Sequence, residues 1–175
     1  PLLPDTPQGK ILKEWDLCYE AESEGAFLFE AFLKGLYREV FGRLGLGEEV
    51  IDFIAEETGV FIDFYENFNR ILLAESSIWF NGRTREELYR KTAAKALNIT
   101  PHPWGQDRSI TFSHILFGGK LPGFLGFDRG PIQGIGSRAT IHQGQIYKSG
   151  GRVTTFYPSF RIVSDMNEPH SFTNL

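Results

Sequence analysis

The chain has 175 residues, is 41% hydrophobic and 23% charged, and carries a net charge of −4. That length supports one domain with a sizeable core, and the composition excludes a disordered, collagenous or disulfide-scaffolded chain. The acidic balance argues against nucleic-acid binding, and no apolar run reaches the roughly 18–20 residues of a membrane span.

Charge is unevenly spread. Residues 1–100 hold 11 basic and 18 acidic side chains, whereas residues 101–175 hold 7 and 4. Two solvated surfaces of different composition account for this. Attraction between the halves, or to other parts of a larger assembly, is the alternative. The single cysteine, Cys18, forms no internal disulfide and gives no zinc-ligand spacing. The chain opens on "PLLPDTPQG" without methionine and closes on "SFTNL" in a polar stretch, which reads as a processed chain or a piece of a longer one.

In chain order, the three prolines of the first ten residues predict an extended lead-in. "ILKEWDLCYEAE" fits either a short helix or an extended segment around Trp15 and Tyr19. Ser23 has N-cap chemistry, and Glu24 suits a first helical turn. From Gly25 to Phe41, apolar residues recur at spacings of three and four, which predicts a helix with a wide apolar face. Gly42, Gly45 and Gly47 are expected to end it. A second helical region is predicted from Glu48 to Ala74, split at Gly59. A third begins at "TREE", with Thr84 and Glu87 as a capping box, and runs to Leu97. Asn81-Gly82 marks the turn before it.

Pro101, Pro103 and Gly105 then break helix. "SITFSHILF", "RATIHQGQIY", "RVTTFYP" and "SFRIVSDM" read as short strands, and "KSGGR" as a hairpin turn. Seven glycines and two prolines between 118 and 136 predict an irregular loop of functional or packing significance. The expected fold is α+β, with a helical segment 1–100 and a β-rich segment 101–175 forming one structural unit.

Chemistry-bearing patterns are sparse. "GIGSRA", Gly134 to Ala139, has the spacing of a dinucleotide fingerprint, but without the strand before and helix after that it needs. His102, His114, His142 and His170 show no paired spacing on a helix. His114, inside "TFSHIL", reads as a hydrogen-bonded histidine near the core. No G-x-S-x-G elbow occurs, and Cys18 has no activating neighbour in sequence. The Asn98-Ile99-Thr100 sequon is weakened by Pro101. The acidic helix residues are expected to face solvent. Arg161 and Asp165 sit four apart on one face of a mostly apolar strand. That placement suits a catalytic pair, or an ion pair that locks the strand in place.

Four stretches occur together in order: "ESSIWFNGRTREELYRKTAAKALN", "HPWGQDRSITFSHIL", "ATIHQGQIY" and "YPSFRIVSDM". They resemble the C-terminal part of the heavy chain in the penicillin amidase family of N-terminal-nucleophile hydrolases. The residues that carry the resemblance are Trp104-Gly105, His114, and Ser159, Phe160, Arg161, Val163 and Asp165. Where the family has Thr-Val-Asn, this chain has Thr140-Ile141-His142. The resemblance implies an αββα sandwich assembled from light and heavy chains. It also implies an N-terminal serine that attacks an amide carbonyl, activated by its own α-amino group. Position 1 here is Pro1, and the family's oxyanion asparagine and calcium ligands belong upstream. The resemblance therefore assigns this chain no catalytic, cofactor-binding or metal-binding residue. It implies as partners the remaining heavy-chain and light-chain segments, with self-association through exposed apolar surface. Family members are often exported or periplasmic, although nothing in these residues gives a compartment. On this reading Arg161 and Asp165 hold a core strand, and the isolated chain is inactive. The rival expectation is a binding or assembly module that uses the Phe-rich helices and the 118–136 loop.

Overall fold

A computed structural model describes residues 2–57, 64–107, 109–137, 140, 147–148, 151–154, 162–164 and 172–174. The fold is α+β: helices dominate the first hundred residues, and short antiparallel strand pairs follow.

Helix α1 spans Pro7–Glu14, so the lead-in is shorter than the prolines suggest. Pro7 sits at the helix start, where its missing N–H costs nothing, and the Thr6 side chain accepts from the Gly9 N–H at 3.2 Å. Helix α2 spans Glu24–Tyr37, with the Ser23 hydroxyl capping the Ala26 N–H at 3.1 Å as the sequence predicts. It runs on as a π-helical stretch, Arg38–Leu46. Gly42 and Gly45 therefore lie inside the helix, and only Gly47, at φ 101°, ends it. The Gly47 N–H reaches back five residues to the Gly42 carbonyl, 2.9 Å away. A side chain at Gly45 would collide with the Trp79 ring, so the indole lies against bare backbone there.

Helices α3 (Glu48–Glu57) and α4 (Phe64–Leu73) match the second helical region, and Gly59 lies outside the described residues. Asn81, at φ 50°, and Gly82, at φ 77°, make the predicted turn into α5 (Arg85–Ala96). The capping box there is complete. The Glu87 N–H donates to Thr84 Oγ1 at 3.2 Å, and the Thr84 N–H donates to the Glu87 carboxylate at 2.9 Å.

Two apolar clusters hold the helices together. The first gathers Leu36, Tyr37, Val40 and Phe41 with Ile51, Leu72, Phe80 and Leu88. Phe41 is fully buried and stacks on Phe68 with ring centres 3.9 Å apart. Burying such a ring contributes about 1.5–3 kcal/mol. The second cluster joins Ala26, Phe27 and Leu28 of α2 to Ala93, Leu97 and Trp104. Phenylalanines 27 and 41 thus belong to the core, which removes them from the interface that the rival sequence reading assigned to the Phe-rich helices.

Strand β1 (Ser109–Ser113) pairs antiparallel with β2 (Asp128–Gln133), from Ser109 opposite Gln133 to Ser113 opposite Asp128. β2 falls inside the segment expected to be irregular. Its glycine and proline fit because Gly130 and Pro131 together oppose Thr111 alone, a bulge where the ladder can do without a proline N–H. Conversely, the second half of "SITFSHILF" is a turn. Strands β3 (Tyr147–Lys148) and β4 (Gly151–Thr154) pair antiparallel on either side of the predicted "KSGGR" turn. β5 (Ile162–Ser164) pairs with β6 (Phe172–Asn174).

Candidate functional site

The seam between the helices and the chain that follows them is built around Trp104, which is 2% exposed. Its N–H donates to the Ser23 carbonyl at 3.2 Å, and the Gly105 N–H donates to Ala21 at 2.7 Å. Its indole N–H donates to the Gly136 carbonyl at 2.9 Å. The Gly136 N–H in turn donates to the Tyr19 carbonyl at 2.8 Å. The Tyr19 ring meets the indole edge-on, with centres 5.4 Å apart. A Cβ on Gly105 would stand 2.9 Å from that of Ala21, which explains why glycine follows the tryptophan.

Beside this clasp, one oxygen of Glu30 accepts from the Tyr19 hydroxyl at 2.9 Å and from Ser137 Oγ at 3.3 Å. Ser137 is 2% exposed, so its hydroxyl is sealed from any substrate. Thr140 Oγ1 accepts from the Ser137 N–H at 2.7 Å. The clasp also decides the "GIGSRA" question. A strand, β2, does precede it, contrary to expectation, but both main-chain polar groups of Gly136 are bonded within the protein. They are not available to cradle a pyrophosphate.

A second polar centre lies on the π-helical stretch. Glu39 is buried, against the expectation that acidic helix residues face solvent. One carboxylate oxygen accepts from Arg83 at 3.2 Å and from Lys91 at 3.5 Å, and the other from Arg43 at 3.3 Å. Burial acts to raise this carboxyl. The Lys91 charge, the hydrogen bonds from Arg83 and Lys91, and the Arg43 charge outweigh it and hold the group below the usual carboxylate range. The sequence carried a signal for this site: Glu39 falls on the apolar face, between Tyr37 and Val40, with Arg43 one turn on.

The third feature is a surface. From the end of β1 to the start of β2 the chain displays Phe112, Ile115, Leu116, Phe117, Phe124 and Leu125 to solvent, with Ile115 96% and Phe124 87% exposed. His114 lies in this surface. It is hydrogen-bonded, as expected, but exposed and away from the helical core. A turn that presents this many apolar side chains has not buried them within the described residues.

The remaining candidates do not converge on a reactive centre. Cys18 is exposed, and the negative charge of Asp16, some burial, a hydrogen bond with Asp16 and the charge of Glu20 raise its thiol, which disfavours the nucleophilic thiolate. His102 lies against Phe27, ring centres 3.9 Å apart. Among the described residues no cluster of three or more His, Cys, Asp or Glu could hold a metal ion, and no helix is long and apolar enough to cross a membrane. A surface cavity of about 300 Å³ is lined by Leu2, Arg85, Glu86 and Tyr89, at the far end of α5 from Trp104. Arg161, Asp165, Ser159, Phe160, His142 and His170 lie outside the described residues, and Val163 sits on β5.

No curated protein matches the chain. The family model of penicillin amidase matches residues 2–175. That span, nearly the whole chain, places this chain in the penicillin amidase family.

Proposed function

We propose that this chain is a supporting part of an acylase that hydrolyses the amide bond between an apolar acyl group and an amine, and that the nucleophilic serine is carried on another segment of the parent protein. Membership of the penicillin amidase family supports the acylase class. The observation that carries the supporting role is the exposed apolar surface between Phe112 and Leu125, next to a helical core that is well packed. Its natural cover is the rest of the acylase, its other heavy-chain and light-chain segments, with the 1–100 and 101–175 segments acting as one unit. The buried Ser137 and the deactivated thiol of Cys18 fit a chain that contributes no nucleophile of its own.

The test is turnover. The purified chain, incubated with phenylacetyl amides and long-chain acyl amides, should release no amine above background. Addition of the remaining segments of the acylase should restore hydrolysis. Sustained turnover by the chain alone would overturn the reading. The rival function, a free-standing binding module, is favoured by the same apolar surface. It predicts a well-folded monomer that the acylase segments leave unchanged.

A further inference from the structure

The turn after β1 is organised by a titratable side chain. His114 Nδ1 accepts the N–H of Leu116 at 3.1 Å and that of Phe117 at 3.3 Å. A nitrogen that accepts two hydrogen bonds carries no proton, so this arrangement belongs to the neutral imidazole protonated at Nε2. The ring also packs flat on Phe117, centres 5.2 Å apart, and edge-on to Phe127 at 5.4 Å. The Gly118 N–H closes the turn onto the His114 carbonyl at 2.8 Å.

Asp128 on β2 presents the facing carboxylate. Its Oδ1 accepts from the His114 N–H at 3.3 Å, and its Oδ2 from the Gly119 N–H at 2.7 Å. Lys120 lies in the turn itself, Arg129 follows Asp128 on β2, and β4, which packs against β1, carries Arg152.

We propose that His114 is an acid-sensitive latch on this apolar turn. Neutral imidazole holds the N–H groups of Leu116 and Phe117 and so fixes where Ile115, Leu116 and Phe117 are displayed. Protonation places an N–H at Nδ1, opposite two other N–H groups, and the turn opens. The turn is therefore intact with the neutral ring and weakened once acid protonates it. The functional meaning of the latch rests on the reading that this surface docks the rest of the acylase. The test below reads the turn alone, so its failure would leave that reading standing.

Nitrogen NMR of the imidazole should show the Nε2–H form at about pH 7.5. Amide exchange should show protection of Leu116 and Phe117 falling by about tenfold or more between about pH 7.5 and about pH 5. His114→Asn keeps an acceptor near the Nδ1 position but cannot titrate, and it should keep that protection at both pH values. An Nδ1–H tautomer, or wild-type protection unchanged by acid, would overturn the proposal. If the asparagine variant fails to form the turn, the wild-type tautomer and exchange measurements still decide.

Discussion

The indole N–H of Trp104 donates to the carbonyl of Gly136 across 2.9 Å, and both residues are buried. This bond ties the end of β2 to the helices at the point where the chain changes from helical to β. Trp104→Phe keeps most of the apolar contact and leaves the Gly136 carbonyl without its donor. The expected loss of stability is about 1–3 kcal/mol, measured by denaturant unfolding. A change within about 0.5 kcal/mol would mean that the clasp is not holding the seam.

Much of the helical half was legible in the sequence because each helix announces itself locally. Ser23 and the Thr84/Glu87 box cap as expected, and the spacing of Leu36, Tyr37, Val40 and Phe41 puts all four in one core cluster. What escaped depends on contacts distant in sequence. Gly42 and Gly45 read as helix stops, yet Gly45 is needed because Trp79, far along the chain, packs onto it. β2 was hidden because Gly130 and Pro131, ordinary loop signals, form a bulge that only the partner strand reveals. Trp104-Gly105 was visible as a motif, but its partners Tyr19, Ala21 and Gly136 were not. Arg161 and Asp165, which the sequence singled out, lie outside the described residues.

Glu39 gives a prediction in acid. Its carboxyl is held below the usual range, so folding gains stability from it above the unfolded value of about 4.3 and loses that gain as pH falls through the lower folded value. Stability should fall in acid below about pH 4, and Glu39→Gln should flatten part of that fall. Arg83 and Lys91 are 36% and 64% exposed, so water replaces much of what they lose. The cost at neutral pH should therefore be modest, about 1 kcal/mol. Unfolding free energies measured between about pH 3 and about pH 7 check both statements. An acid profile identical in the two proteins would contradict them.

Thr92 offers a change in the opposite direction. Its side chain lies in the contact between α2 and α5 with its methyl against Gly35, and its buried hydroxyl has no hydrogen-bond partner among the described residues. Thr92→Val keeps the shape and removes the unmatched polar group. Stability should be unchanged or raised by up to about 1 kcal/mol, read as a shift in the thermal midpoint. A loss of more than about 1 kcal/mol would show that the hydroxyl has a role in folding.

Ile115 and Phe124 test the apolar surface. Both are almost fully exposed, so Ile115→Lys with Phe124→Lys should alter folding stability by no more than about 0.5 kcal/mol. The same pair should weaken assembly with the remaining acylase segments and reduce self-association, followed by sedimentation velocity. Normal assembly by the double variant would place the docking surface elsewhere.

The central claim is that this chain supports an amide hydrolase whose nucleophile lies on another segment. The direct measurement is covalent labelling of the active parent acylase with a serine-reactive sulfonyl fluoride, followed by mass mapping of the modified residue. The account predicts loss of activity with the adduct on an N-terminal serine outside these 175 residues. An inactivating adduct on any residue between Pro1 and Leu175 would contradict it.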